Sequence, residues 1–340
     1  MEHFKFLIII FLVINQNYYS QTHPNENIDR LLRNGINEIV KQNYQIAERT
    51  FRQLDEEHPK LPLGKIYLAA TLIAKSFDYG IPFDEDQIIS SLNEAKKISE
   101  NLLKENKNNL WYKYYYALTE GYNAYYLAIN GSILDAFSIG LKSYNLFEDI
   151  LNQDSSFQDA LLAVGTFKYW RSDKLKFLSW LPFVKDERAI AINQLETSIR
   201  NNSYNSHLAI YSLIWIFINE KEYLKAKNLA ELALRKFPQS RLFKEALARI
   251  YENIDLSQSI LLYTQLLNSY KDLKLENRVR EITINHKIAI QLQKSGEKKQ
   301  ALKICNEILS INDLSDYEKS QLSERLQRIR KMRQELLNQN

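Results

Sequence analysis

One cysteine in 340 residues leaves the chain nothing to cross-link. Cys305 therefore excludes an internal disulfide framework and a cysteine-rich zinc site alike. Its place on the apolar stripe of a helical pattern marks it as a small buried side chain. Glycine and proline are also scarce, at 8 and 6. The glycines are isolated, Gly131 and Gly140 being the nearest pair, so neither a phosphate-cradling loop nor a dinucleotide fingerprint can be built. No charge of one sign dominates, since 45 Lys and Arg face 41 Asp and Glu for a net +4. That lacks the basic excess of a nucleic-acid-binding face. The five histidines, His3, His23, His58, His207 and His286, are dispersed, with no pair at helical metal-ligand spacing. A G-x-S-x-G nucleophile elbow is missing as well. Catalytic residues, metal ligands and cofactors are accordingly all expected to be none.

Long apolar runs are missing too, apart from the nine residues Phe6 to Ile14. A permanent span needs about 20 residues, so this run is too short. Lys5 before it and Tyr18-Tyr19-Ser20 after it describe a secretory signal peptide, with cleavage after Ser20. An uncleaved anchor is the alternative. No cysteine near the site offers a lipid attachment. The chain is thus expected to be periplasmic or secreted, with no stable membrane span after cleavage.

What remains is rich in helix formers, with 45% apolar residues, enough for a continuous core. The stretch from His207 to Ser240 organises the rest. Ile210, Leu213, Ile214 and Phe217 lie on one helical stripe; Tyr223, Ala226, Ala230 and Ala233 lie on a second, and Pro238 closes the unit. Spacing and residue types resemble the tetratricopeptide repeat (TPR), a 34-residue helix–turn–helix. The resemblance implies an all-α, right-handed superhelical solenoid of TPR-like repeats with a C-terminal capping helix.

On that reading, 1–20 is the signal peptide, 21–27 a linker and 28–340 the solenoid. Clear repeats fall at 28–61, 207–240, 241–273 and 282–315. A degenerate stretch covers 62–157, and an interrupted repeat covers 158–206. The cap covers 315–338, with acids between its basic residues as on a solvated face. Gly35 removes a side chain where two helices must approach. Asp84, Glu85 and Asp86 sit before a helix, where negative charge complements the macrodipole. The aromatics from Trp111 to Tyr126 read mainly as packing between helices.

The resemblance also implies that first helices line a concave face. It would expose Tyr211, Trp215 and Ile218 in the best repeat, Tyr169 and Trp170 in the interrupted one, and His286 in the last. The carboxylate clamp known in the family is not supported, because its positions hold Leu32 and Ile36, Leu162 and Thr166, Tyr211 and Trp215. An aromatic groove suits an apolar or amphipathic segment of a protein or peptide partner. The extra residues Trp170 to Phe183 are either a specific binding element or an internal plug. Candidate partner-binding residues are therefore Tyr169, Trp170, Arg171, Trp180, Phe183, Tyr211 and Trp215. The expected role is a non-enzymatic scaffold for protein–protein interaction in the cell envelope. The alternatives are a carbohydrate-binding helical protein and a hydrolase or lyase on a helical scaffold.

Overall fold

Several helices of this chain start where an Asn or Asp side chain can accept the first free amides. Asn25 accepts from the amides of Asn27 and Ile28 at 3.0 and 3.1 Å and opens α1 (Glu26–Val40). Asp84 accepts from Gln87 at 3.3 Å and opens α4 (Glu85–Glu105), with Glu85 and Asp86 in its first turn. Asn109 does the same for α5 (Leu110–Ile129), and Asp255 for α12 (Leu256–Lys271). Gly80, in the left-handed region at φ 67°, ends α3 (Leu63–Tyr79).

The computed structural model describes residues 21–178, 185–201 and 203–338. The expected leader, with cleavage expected after Ser20, lies outside these residues, as do Trp180 and Phe183 of the insertion. Among the described residues there are fifteen α-helices, one short 3₁₀ turn at Lys176–Leu178 and no strand. α1 pairs with α2 (Tyr44–Glu57), α3 with α4, and α5 with α6 (Ile133–Gln153). α7 (Gln158–Leu175) pairs with α8 (Arg188–Arg200), and α9 (Ser206–Asn219) with α10 (Tyr223–Lys236). α11 (Arg241–Tyr251) pairs with α12, and α13 (Val279–Lys294) with α14 (Lys298–Leu309). The last helix, α15 (Asp316–Asn338), covers α13 and α14 with Leu322, Ile329, Met332 and Leu336. Ser315 and Glu318 form a reciprocal capping box at its start, at 2.8 and 3.3 Å. Each hairpin packs on its sequence neighbours, which gives the TPR-like superhelical solenoid that the sequence predicts.

Two details differ from the sequence expectation. The stretch 62–157 forms two complete hairpins, and three of its helices run 20 or 21 residues. The longer helices blur the repeat spacing. Trp170 to Leu175, taken as the start of an insertion, instead extend α7, which reaches 18 residues.

Gly35 performs the predicted task. A Cβ there would stand 2.4–2.8 Å from the ring of Phe51, which is fully buried. Gly35→Ala should therefore cost about 1–3 kcal/mol by overpacking. The measurement is the urea midpoint, and a Gly35→Ala/Phe51→Leu pair should regain part of the loss.

The superhelix also closes on itself. Four helix starts take acceptors from other elements, which supplies what their own caps lack. α7 follows Phe157, which offers no side-chain acceptor, and the Asp159 amide donates to Gln21 Oε1 at 2.9 Å, 138 residues away. The Arg241 amide, opening α11, donates to Gln42 Oε1 at 2.9 Å across 199 residues. At the start of α9 the Asn205 amide donates to Asp159 Oδ1 at 3.1 Å, and before α13 Arg278 donates to Glu318 Oε1 at 2.6 Å. Val40 at the end of α1 packs into the core cluster of α9 to α11, so the first hairpin lies against the fifth.

Candidate functional site

First helices turn a second stripe, set about one residue (roughly 100° around the helix axis) from their core stripe, toward the interior of the superhelix. On α9 the core stripe is Ile210, Leu213, Ile214 and Phe217, while His207, Leu208, Tyr211 and Trp215 face inward. On α5 the buried Tyr115 packs among helices, and Tyr114, Leu118, Tyr122 and Tyr125 line the interior. α3 adds Ala70, Ile73 and Phe77, and α1 adds Ile36, Ile39 and Val40. These stripes enclose a lumen of about 620 Å³. That is the size of a small-molecule or short-peptide site, which runs about 300–1,000 Å³. Tyr125 and Phe77, 47% and 51% exposed, present open ring surface inside it.

The ion pairs of the lumen wall lie at the seam where α3 meets α11, α12 and α13. Asp78, 7% exposed, accepts from Arg241 Nε at 3.0 Å, Tyr270 OH at 3.0 Å and Tyr44 OH at 3.1 Å. A second bond from Arg241 makes that pair bidentate. Glu245 accepts from Arg280 at 2.6 Å and Lys287 at 2.7 Å. Burial works to raise its carboxyl, but the charges of Arg280 and Lys287 prevail and hold it at about 2. Arg280 also donates to Tyr270 OH at 3.1 and 2.9 Å, which ties the two ion pairs together.

Asp159 is the contrasting group. It is 3% exposed and its carboxylate has no ion pair among the described residues. Burial pushes its carboxyl up, although bonds from Tyr114 OH (2.8 Å) and the Asn205 amide (3.1 Å) oppose the rise. His207 lies on the lumen wall, and burial, with the charge of Lys236 adding to it, holds its imidazole at about 3. Burial also lifts the Tyr211 phenol to about 12, so it is a neutral hydroxyl. Every carboxylate of this wall is engaged from within the protein, so the lumen offers carbon surface, phenols and little free acid or base.

The candidate residues divide. Tyr211 and Trp215 meet edge to face at 6.0 Å on the lumen wall. Tyr169 does not reach the concave surface: it is fully buried, and its hydroxyl donates to Glu220 at 2.6 Å. The long α7 carries it into the seam with α9, where Asn219 also bonds it at 2.9 Å. Trp170 packs edge to face on Tyr169 at 5.1 Å, beside the same core. Arg171 pairs with Glu187 and lies over Tyr144 and Phe167, away from the lumen. His286, which the resemblance placed on the concave face, is 4% exposed under α15 and accepts from Arg325 at 3.2 Å. The capping helix covers that end of the groove.

Sequence reasoning missed Tyr122, Tyr125 and Phe77. α5 is aromatic on both faces, so its inward stripe at 118, 122 and 125 was hidden within a core reading. Among the described residues no three of His, Cys, Asp and Glu converge as a metal site, and no helix is long and apolar enough to cross a membrane.

No family model and no curated protein matches the chain. Solved structures do. A tetratricopeptide repeat protein from Parabacteroides merdae is similar over 88% of this chain and 98% of its own, at 14% identity and a TM-score of 0.40. NprR, in complex with its cognate peptide NprX, is similar over 94% of this chain and 90% of its own, at 14% identity and TM-score 0.45. The human IFIT1 dimer with PPP-AAAA is similar at 16% identity and TM-score 0.51, over 86% of this chain, which spans 61% of that one. At such identities the likeness is one of fold: the chain is built as a TPR-like α-solenoid.

Proposed function

We propose that this protein is an exported, non-enzymatic scaffold that holds an apolar or amphipathic segment of a partner protein in its lumen. The observation that carries the reading is the inward stripe of Ile39, Phe77, Leu118, Tyr125, Tyr211 and Trp215 around about 620 Å³. Aromatic walls bury large area at low entropic cost, and such residues dominate binding energies. The internal engagement of Asp78, Asp159 and Glu245 favours a protein segment over a sugar, which needs free polar partners, and over a hydrolase, which needs free acid and base. Arg241 and Arg280 are spent on those carboxylates, which disfavours phosphate and nucleic acid. Export rests on the leader, with residence in the periplasm or outside the cell.

The test is titration of the mature protein with a panel of amphipathic peptides and oligosaccharides, followed by calorimetry. Some apolar peptides should bind and sugars should not. Trp215→Ala should weaken the best peptide by at least about 2 kcal/mol, roughly 30-fold, as for a central anchor. Sugar binding lost in Trp215→Ala would replace this reading with carbohydrate capture.

A further inference from the structure

Gln21 joins the two sides of the closed superhelix by more than one bond. Its side-chain Oε1 accepts the Asp159 amide at 2.9 Å and so caps α7. Its backbone oxygen accepts Arg33 Nη2 at 2.6 Å. The residue is 8% exposed, yet its Nε2 is buried with no hydrogen-bond partner among the described residues. A buried donor of that kind retains the full desolvation penalty of an unmade bond.

The proposed export, on which this inference rests, places cleavage after Ser20. Cleavage there would make the Gln21 nitrogen an α-ammonium. That charge would sit on a residue whose own carbonyl already binds the Arg33 guanidinium, which Asp29 also pairs at 2.9 Å. The guanidinium held on the same residue disfavours a second positive charge there.

We propose that the mature chain begins with pyroglutamate at position 21. The free Gln21 amine attacks its own Cδ, forming an N–Cδ bond. The Cδ–Nε2 bond breaks, and Nε2 leaves as ammonia with the proton that the attacking nitrogen loses. Nothing is oxidised or reduced, and no co-reactant is consumed. The ring keeps the oxygen that α7 needs and the carbonyl that Arg33 needs. It removes the unmatched Nε2 and the ammonium charge together. Ring closure also removes side-chain rotation, so the cap is preset.

The experiment produces the full chain with its leader in an exporting host and takes the intact mass and N-terminal peptide of freshly isolated protein. The expected peptide starts at residue 21, is lighter by one ammonia than its glutamine form, and resists Edman degradation until a pyroglutamyl aminopeptidase acts. Gln21→Glu, verified by mass to keep a free amine, should melt several degrees lower. Residue 21 first at full glutamine mass overturns the proposal and leaves export standing. A different first residue overturns the cleavage and the proposal with it. Equal melting of Gln21→Glu and the cyclised protein overturns the structural role of the ring.

Discussion

Asp78→Ala should destabilise the closed superhelix by about 3–5 kcal/mol, the usual result of removing one partner from a buried ion pair. The substitution strands Arg241, itself 8% exposed, and removes the acceptor shared by Tyr44 and Tyr270. Burial opposes the Arg241 charge, yet Asp78 beside it raises its pKa, so the guanidinium keeps its proton and its need for a partner. Urea unfolding of the variant measures the effect. Asp78→Ala/Arg241→Met should recover much of it, because an apolar pair of similar volume often matches a buried ion pair. A loss below about 1 kcal/mol in the single variant, the range of an exposed pair, would mean that the seam does not hold the closure.

Acidification should weaken the fold from pH 6.5 downward, before most carboxylates titrate. Burial holds His207 at about 3; burial with Arg325 and Arg328 nearby holds His286 at about 4, against an ordinary 6.5 for both. The folded state thus prefers both imidazoles neutral, while the unfolded chain takes up protons below 6.5. Between pH 6.5 and about 4 the unfolded state binds more protons, so stability rises with pH and falls on acidification. Each group contributes up to ~1.4 kcal/mol per pH unit, so the two approach ~3 kcal/mol per unit. Glu245, held at about 2, acts in the same direction lower down: its contribution is lost as pH falls from 4.5. Urea midpoints at pH 7, 6 and 5 measure the slope, and His207→Leu should roughly halve it. A flat profile above pH 5 would contradict this account of both histidines.

Much of this architecture is legible in residues three and four apart. Ile210, Leu213, Ile214 and Phe217 reveal α9 and its buried face, and Gly35 reveals the close crossing with Phe51. The TPR resemblance, not the spacing alone, implied an inward position for Tyr211 and Trp215, and they line the lumen. Tyr169 was not separable from them, because its burial depends on how far α7 runs before turning, which a local pattern does not encode. Tyr122 and Tyr125 were hidden by the aromatic faces of α5. The seam was invisible for a different reason. Asp78 and Arg241 are 163 residues apart, and each alone reads as an ordinary surface charge.

The long-distance caps on α7 and α11 have a consequence for how the chain is made. An open stack of hairpins can be finished one layer at a time, each resting on the last. Here Gln42 waits for Arg241, and Asp78 waits for Arg241 and Tyr270, so the earliest layers stay incomplete until the far end arrives. Pairings that distant in sequence slow assembly. Until then the apolar inner wall stands open to solvent and to contact with other chains.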